Sequence, residues 1–289
     1  MDNKLNIHEI LSLIPERKID SSKHDYGKLL AVTGSTYYRG AAYLSCAGAL
    51  RSGVGICTLA SIEKVVSAVA ASLPECTFLP LSETPNGTIS HTASGHITEL
   101  SKRYSALLIG CGLSIDDSTR ELVKNIVAHA ECQLVIDADG LNILSENLDI
   151  LKHAKKPPVI TPHFNEMARL CQTDRNSIAE RPMDYALSFA RANNCTVVLK
   201  SHVTYICTPD GQVAINDGAG NSGLAKGGSG DVLAGMIASF CAQGLSPYNA
   251  SKCGVYLHGK AADLCAERLS KQAMLPSDIL VDLATVFPE

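Results

Sequence analysis

One carboxylate in this sequence stands out by what precedes it. Asp231 closes the glycine-rich stretch GAGNSGLAKGGSGD and opens an apolar run, Val232, Leu233, Met236, Ile237 and Phe240, whose i, i+1, i+4, i+5 spacing predicts the buried stripe of a helix. Seven glycines fall within the eighteen residues from Gly218 to Gly235, and a flexible linker would run on into polar sequence instead. At a helix start the first backbone N–H groups lack intrahelical partners and the dipole is positive, so small residues let those donors approach an anion such as phosphate. The competing reading is a structural glycine turn with Asp231 as a plain N-terminal cap.

Other candidate positions follow apolar runs. TGSTYYRGAAYL is a small-residue turn that opens a helix, and in CGLS Gly112 permits close approach of backbone to a ligand. In VIDADGLNIL, Asp137, Asp139 and Asn142 would hold Mg²⁺ directly or through water, or Asp139 would cap the next helix. In PHFNEMARL, His163 and Glu166 lie three apart at a helix start, suited to a ligand hydrogen bond and to magnesium-bound water, or to capping alone. Lys200 ends TVVLK, where it would meet a nucleotide phosphate or simply be solvated, and Ser201 to Thr204 add backbone and hydroxyl groups. The other histidines, His258 among them, show no metal-ligand spacing and read as structural or exposed. There is no GxxxxGK[ST] phosphate loop and no nucleophile elbow.

These positions need elements to hold them. KLLAVTG, GICTLA, ALLIGCG, QLVIDAD, PPVITP and TVVLK have the length and apolar density of strands buried on both faces, and helix-like segments alternate with them. That alternation predicts an α/β fold with a doubly wound, mainly parallel sheet. VTYICTPDGQVAIN reads as two strands joined at Pro-Asp-Gly, an antiparallel edge. With no linker, repeat or composition break, residues 1–289 are expected to form a single domain.

Composition narrows the partners. A hydrophobic fraction of 46% suits a large core, and a net charge of −4 without a basic face argues against nucleic acid. Eleven cysteines without a CxxC pair, in apolar contexts, read as buried reduced thiols rather than disulfides or zinc ligands. No segment reaches the ~18 apolar residues of a membrane span, and the acidic, interrupted N-terminus is not a leader, so no membrane partner and a cytoplasmic location are expected.

Taken in order, TGSTYYRGAAYLSCAGALRSGVG, GCGLS, VIDADGLNIL, PPVITPHFNEMARL, VVLK and NSGLAKGGSGDVLAG resemble the ADP- or ATP-dependent (S)-NAD(P)H-hydrate dehydratases, a ribokinase-like family. The resemblance spans residues 20 to 287 and implies a repair lyase that restores NAD(P)H from its hydrate, with ADP as the phosphoryl donor in the stand-alone bacterial type. It implies Asp231 as the base; Ala41 or Ala42, Gly112 and His163 toward the hydrate; and Lys200, Ser201, His202, Val203, Thr204, Gly228, Ser229 and Gly230 toward the nucleotide. Mg²⁺ as cofactor, with Glu166 holding it through water, a homotetramer, and a separate epimerase in the same pathway complete the expectation, since the chain leaves no room for a fused one. Two departures stand out: Ser201 replaces a usual glycine after Lys200, and TPHFNE puts His163 where vitamin kinases of this fold carry asparagine. A small-molecule kinase of the same fold is the alternative.

Overall fold

The computed structural model describes residues 3–287. Its centre is one nine-stranded sheet, built from Lys28–Val32 (β1), Ile56–Ile62 (β2), Thr77–Leu81 (β3), Ala106–Ile109 (β4), Gln133–Ile136 (β5), Val159–Ile160 (β6), Thr196–Leu199 (β7), Thr204–Cys207 (β8) and Val213–Asn216 (β9). The strand order is β3-β2-β1-β4-β5-β6-β7-β8-β9, parallel as far as β7 and antiparallel at β7–β8 and β8–β9. The doubly wound arrangement and its antiparallel edge are therefore as the residue pattern predicts. Leu29, Leu107, Val135 and Val197 are fully buried because helices cover both faces. Each such side chain contributes roughly 1.5–3 kcal/mol through removal from water.

Two details differ from the sequence reading. β3 has no counterpart in it, because TFLPL is half-exposed and carries Pro80, a residue a sheet tolerates only where a ladder N–H is dispensable, as at this edge. The PPVITP run shortens to two ladder residues, since prolines at 157, 158 and 162 bracket it and supply no N–H. The terminal segment from Ile279 to Phe287 packs mostly on its own core: Ile279 and Leu283 are fully buried, and the Phe287 ring lies 6.4 Å from that of Phe240.

The strand order reverses between β1 and β4, and their loops are tied together where it does: Gly34 N donates to Cys111 O at 2.8 Å and Ser35 Oγ sits 2.9 Å from Ser114 Oγ. Such a switch point leaves a crevice beyond the strand ends. Helix Ser229–Ala242 packs across helix Arg39–Arg51 above it, at a distance only small residues permit, since a Cβ on Gly235 would fall 2.0 Å from Ser45 O. Among the described residues no helix is long and apolar enough to cross a membrane.

Candidate active site

Three adjacent strand ends converge on one carboxylate. Asp137, just past β5, is buried, and its Oδ1 accepts from Thr161 Oγ1, just past β6, at 2.6 Å and from Lys200 Nζ, at the end of β7, at 2.7 Å. Cys111, in the loop after β4, donates its S–H to Asp137 Oδ2 at 3.7 Å. Burial opposes the charge of Lys200, but Asp137 and Glu166 outweigh it and raise the ammonium above its ordinary pKa. Lys200 is thus a fixed positive charge.

Asp231 faces this cluster from above. It is the third residue of helix Ser229–Ala242, whose N-cap, Gly228, takes φ +102°, a left-handed backbone that a side chain would strain. Its carboxylate, the Cys111 sulfur and an Asp137 oxygen lie within 4.8 Å of one another. Burial, reinforced by repulsion from Asp137, pushes the pKa of Asp231 up to about 7. A carboxylate tuned there, in place and part-buried, is suited to general base chemistry at neutral pH.

The preceding loop is fixed from two sides. Asn221 Nδ2 donates to Asp263 Oδ1 at 3.0 Å and to Ala262 O at 2.9 Å on helix Pro247–Leu269, while Lys226 Nζ bridges Gln272 O and Met274 O at 2.6 and 2.7 Å. Ordering the loop before a ligand arrives removes that entropic cost from binding. A Cβ on Gly230 would sit 3.5 Å from Lys200 Nζ, so the missing side chain leaves the ammonium open to whatever lies against the helix start.

His163 and Glu166 form a reciprocal cap. Glu166 N donates to His163 Nδ1 at 3.2 Å and His163 N donates to Glu166 Oε2 at 2.8 Å, at the start of helix Phe164–Leu170. Capping therefore holds, yet both groups also border the charged cluster. Burial lifts Glu166 to about 7, and burial with the Lys200 charge keeps His163 below its ordinary pKa, hence neutral at pH 7.

A cavity of about 820 Å³ opens beside this cluster, bordered by His163, Lys200, Ser201, His202, Thr204, Ser229 and Gly230. Five buried side-chain polar atoms lack a partner among the described residues, and three of them, Asn216 Oδ1, Ser229 Oγ and His258 Nε2, belong to residues that line this one cavity. An unpaired buried polar atom costs ~1–3 kcal/mol, so their clustering suits this cavity to a polar ligand. Val203 and Gly228, expected at the nucleotide, do not border it: Val203 N and O both engage Ser201 Oγ, and Gly228 shapes the loop.

Next to Cys111 lies the switch-point crevice. Gly112 takes φ +63°, and a Cβ there would come within 2.7 Å of both Ala41 Cβ and Tyr38 Cβ. Ala41 and Gly112 are thus neighbours. Ala42 is corrected: it is fully buried and its Cβ faces Gly34, leaving no surface for a ligand.

Residues 29–284 match the family described as NAD(P)H-hydrate dehydratase. The chain belongs to this family. The ADP-dependent (S)-NAD(P)H-hydrate dehydratase of Bacillus subtilis is 32% identical over 274 residues, 94% of each chain. A B. subtilis ADP/ATP-dependent NAD(P)H-hydrate dehydratase, co-crystallised with ATP and Mg²⁺, superposes with a TM-score of 0.81 at 30% identity, covering 97% of this chain and 96% of that one. The bifunctional NAD(P)H-hydrate repair enzyme of Moorella thermoacetica is 40% identical over 93% of this chain and 51% of its own length, so the chain spans about half of such relatives.

Within this dehydratase-family fold, three features escaped the sequence reading. Cys111 adjoins the candidate base because the β4 loop folds under it, which no local spacing encodes. His258, read as structural or exposed, lines the cavity, although an imidazole in the apolar segment VYLHGKAA is a signal of its own. Asp139 does not cap the helix it opens: its Oδ2 accepts from Ser114 N at 2.9 Å, and Asn142 Oδ1 accepts from Arg169 Nη1 at 2.9 Å.

Proposed function

We propose that this chain is an ADP-dependent (S)-NAD(P)H-hydrate dehydratase in which Asp231 is the general base. The observation that carries the assignment is the place of Asp231: it follows Gly230, which borders the polar cavity with Lys200, and lies near Cys111, whose neighbour Gly112 meets Ala41 in the crevice, while burial raises its pKa to about 7. The nucleotide occupies the cavity, its terminal phosphate against Gly230, Ser229 and Lys200. The hydrate occupies the crevice, with His163 between the two.

The chemistry follows from leaving-group strength. Hydroxide is a poor leaving group at neutral pH and phosphate a good one. As the ring hydroxyl attacks the terminal phosphoryl group, Asp231 takes its proton, the phosphoanhydride bond breaks and AMP departs. The ring nitrogen lone pair then expels phosphate, and loss of a ring proton restores the dihydronicotinamide. Lys200 and the amides at the helix start stabilise the charge that develops on the phosphoryl oxygens.

Glu166 and Asp137 would hold Mg²⁺ through water, with one oxygen of each carboxylate engaged by His163 N and Lys200 Nζ. When bound there, Mg²⁺ would neutralise phosphate charge. The same reading takes residues 1–289 as one catalytic domain, cytoplasmic, assembled as a homotetramer and served by a separate epimerase; it rests on the ordered motifs that resemble the stand-alone bacterial type.

The test is to mix protein with chemically prepared NADH hydrate, Mg²⁺ and either ADP or ATP, and to follow the near-ultraviolet absorbance of NADH. A rise that needs nucleotide and yields free phosphate supports the assignment. A stable phosphate ester, with no NADH formed, makes the chain a small-molecule kinase instead.

A further inference from the structure

Away from this site, three cysteine sulfurs meet in the core between helix Arg39–Arg51 and the sheet. Cys46 comes from the helix, Cys57 from β2 and Cys76 from the residue before β3, and their Sγ atoms lie within 4.8 Å of one another. The register that pairs Thr58 with Thr77 brings Cys57 alongside Cys76 on one face of the sheet, while the two threonine hydroxyls meet at 2.6 Å on the other. Cys46 and Cys57 are fully buried, and Cys76 is 6% exposed. Because the three come from separate elements, no sequence motif announces them.

We propose that Cys46, Cys57 and Cys76 form a trigonal thiolate site for Cu(I).

Ligand number and geometry select this ion. Soft thiolate ligands favour Cu(I) and zinc over oxygen-seeking cations, but structural zinc takes four ligands. Among the described residues no histidine, aspartate, glutamate or further cysteine joins the cluster, which offers three ligands in an apolar core.

The geometry agrees. Metal–sulfur bonds of about 2.3 Å place trigonal sulfurs roughly 4 Å apart, inside the observed separation. β3 is the edge strand of the sheet, so Cys76 marks the way in.

The test uses the reduced full chain, titrated without oxygen with Cu(I) against the chelator bicinchoninate. One equivalent should resist the chelator, and X-ray absorption at copper should show three sulfur neighbours. Cys46→Ala, Cys57→Ala and Cys76→Ala should each weaken that equivalent by at least the roughly 10–100-fold that loss of even an outer-shell group costs. Cys171→Ala and Cys195→Ala should leave it unchanged.

Should the cluster variants fail to fold, loading the wild-type chain with Cu(I) should protect Cys76 from iodoacetamide, mapped by mass spectrometry. Copper stripped entirely by the chelator, retention in a folded triple variant, nitrogen or oxygen neighbours, or unprotected Cys76 would each overturn the site.

Discussion

Lys200 Nζ lies 2.7 Å from Asp137 Oδ1, a contact that spans β6 and joins the ends of β7 and β5. Both side chains are largely out of water, Asp137 at 2% exposure and Lys200 at 18%. The pair fixes a cation under the helix start and a carboxylate that raises the pKa of Asp231 above it. Removing one partner strands the other charge, so Lys200→Met should cost about 3–5 kcal/mol in denaturant unfolding and abolish turnover together. Unchanged stability would mean that the pair is solvated and does not organise the site.

Asp231→Asn separates base from scaffold. Turnover should fall on the order of 10²- to 10⁴-fold. The thermal midpoint at pH 8 should rise, because the native protein at that pH buries a carboxylate against Asp137 and the amide removes that repulsion. Substantial residual turnover from folded variant would defeat the assignment.

The pH dependence has two parts. Asp231 must be ionised to accept a proton, so kcat/KM should climb with pH through about 7. Asp137→Asn should move that limb to lower pH, since a repelling charge is lost and Lys200 is left to attract; a limb that stays put rules Asp231 out as its origin. Stability runs the other way. Asp231 and Glu166 are both raised in the folded state to about 7, so the unfolded chain releases those protons first and their contribution is lost as pH rises from about 4 to 7. Unfolding midpoints of wild type and the Asp231→Asn, Glu166→Gln double variant across that range should converge at the acid end.

Gly230→Ala tests the close approach. The new Cβ meets only van der Waals contacts, at 3.5 Å from Lys200 Nζ and 3.8 Å from Asp137 Oδ2, so folding should survive. The methyl group would stand between phosphate and ammonium, raising the KM for nucleotide about tenfold or more, a loss of ~1.4 kcal/mol. Gly218→Ala, where nothing lies within 4 Å, should leave KM unchanged.

His258→Leu should loosen nucleotide binding by a similar factor without loss of stability. Its Nε2 is buried without a partner beside the cavity, and burial holds its pKa down to about 4, so the ring is neutral at working pH. Deleting an orphaned polar atom relieves a folding cost while removing a ligand contact. Isothermal titration with ADP and a melting curve read the two effects separately; unaltered ADP affinity would make His258 structural.

Much of this was legible in the chain. Uninterrupted apolar runs such as ALLI and TVVL have the length and density of strands covered on both faces, and the glycines before Asp231 mark a helix start because short-range stereochemistry suffices. β3 was not legible, since a half-exposed strand with a proline has no strong period. The dual role of His163 was half legible: spacing to Glu166 gave the cap, while its position at the cavity needed the strand ends around it.

The sequence by itself therefore determined the doubly wound fold, the glycine-loop helix and the acid at its start, all properties of neighbours along the chain. Only the tertiary structure decided that Asp137, Thr161 and Lys200 share one carboxylate, that Cys111 sits beneath Asp231, that Ala41 rather than Ala42 faces Gly112, and that three orphaned polar atoms line one cavity. These depend on strand order and on how closely the helices cross, and a pKa of about 7 at Asp231 arises from burial and charges contributed by distant segments.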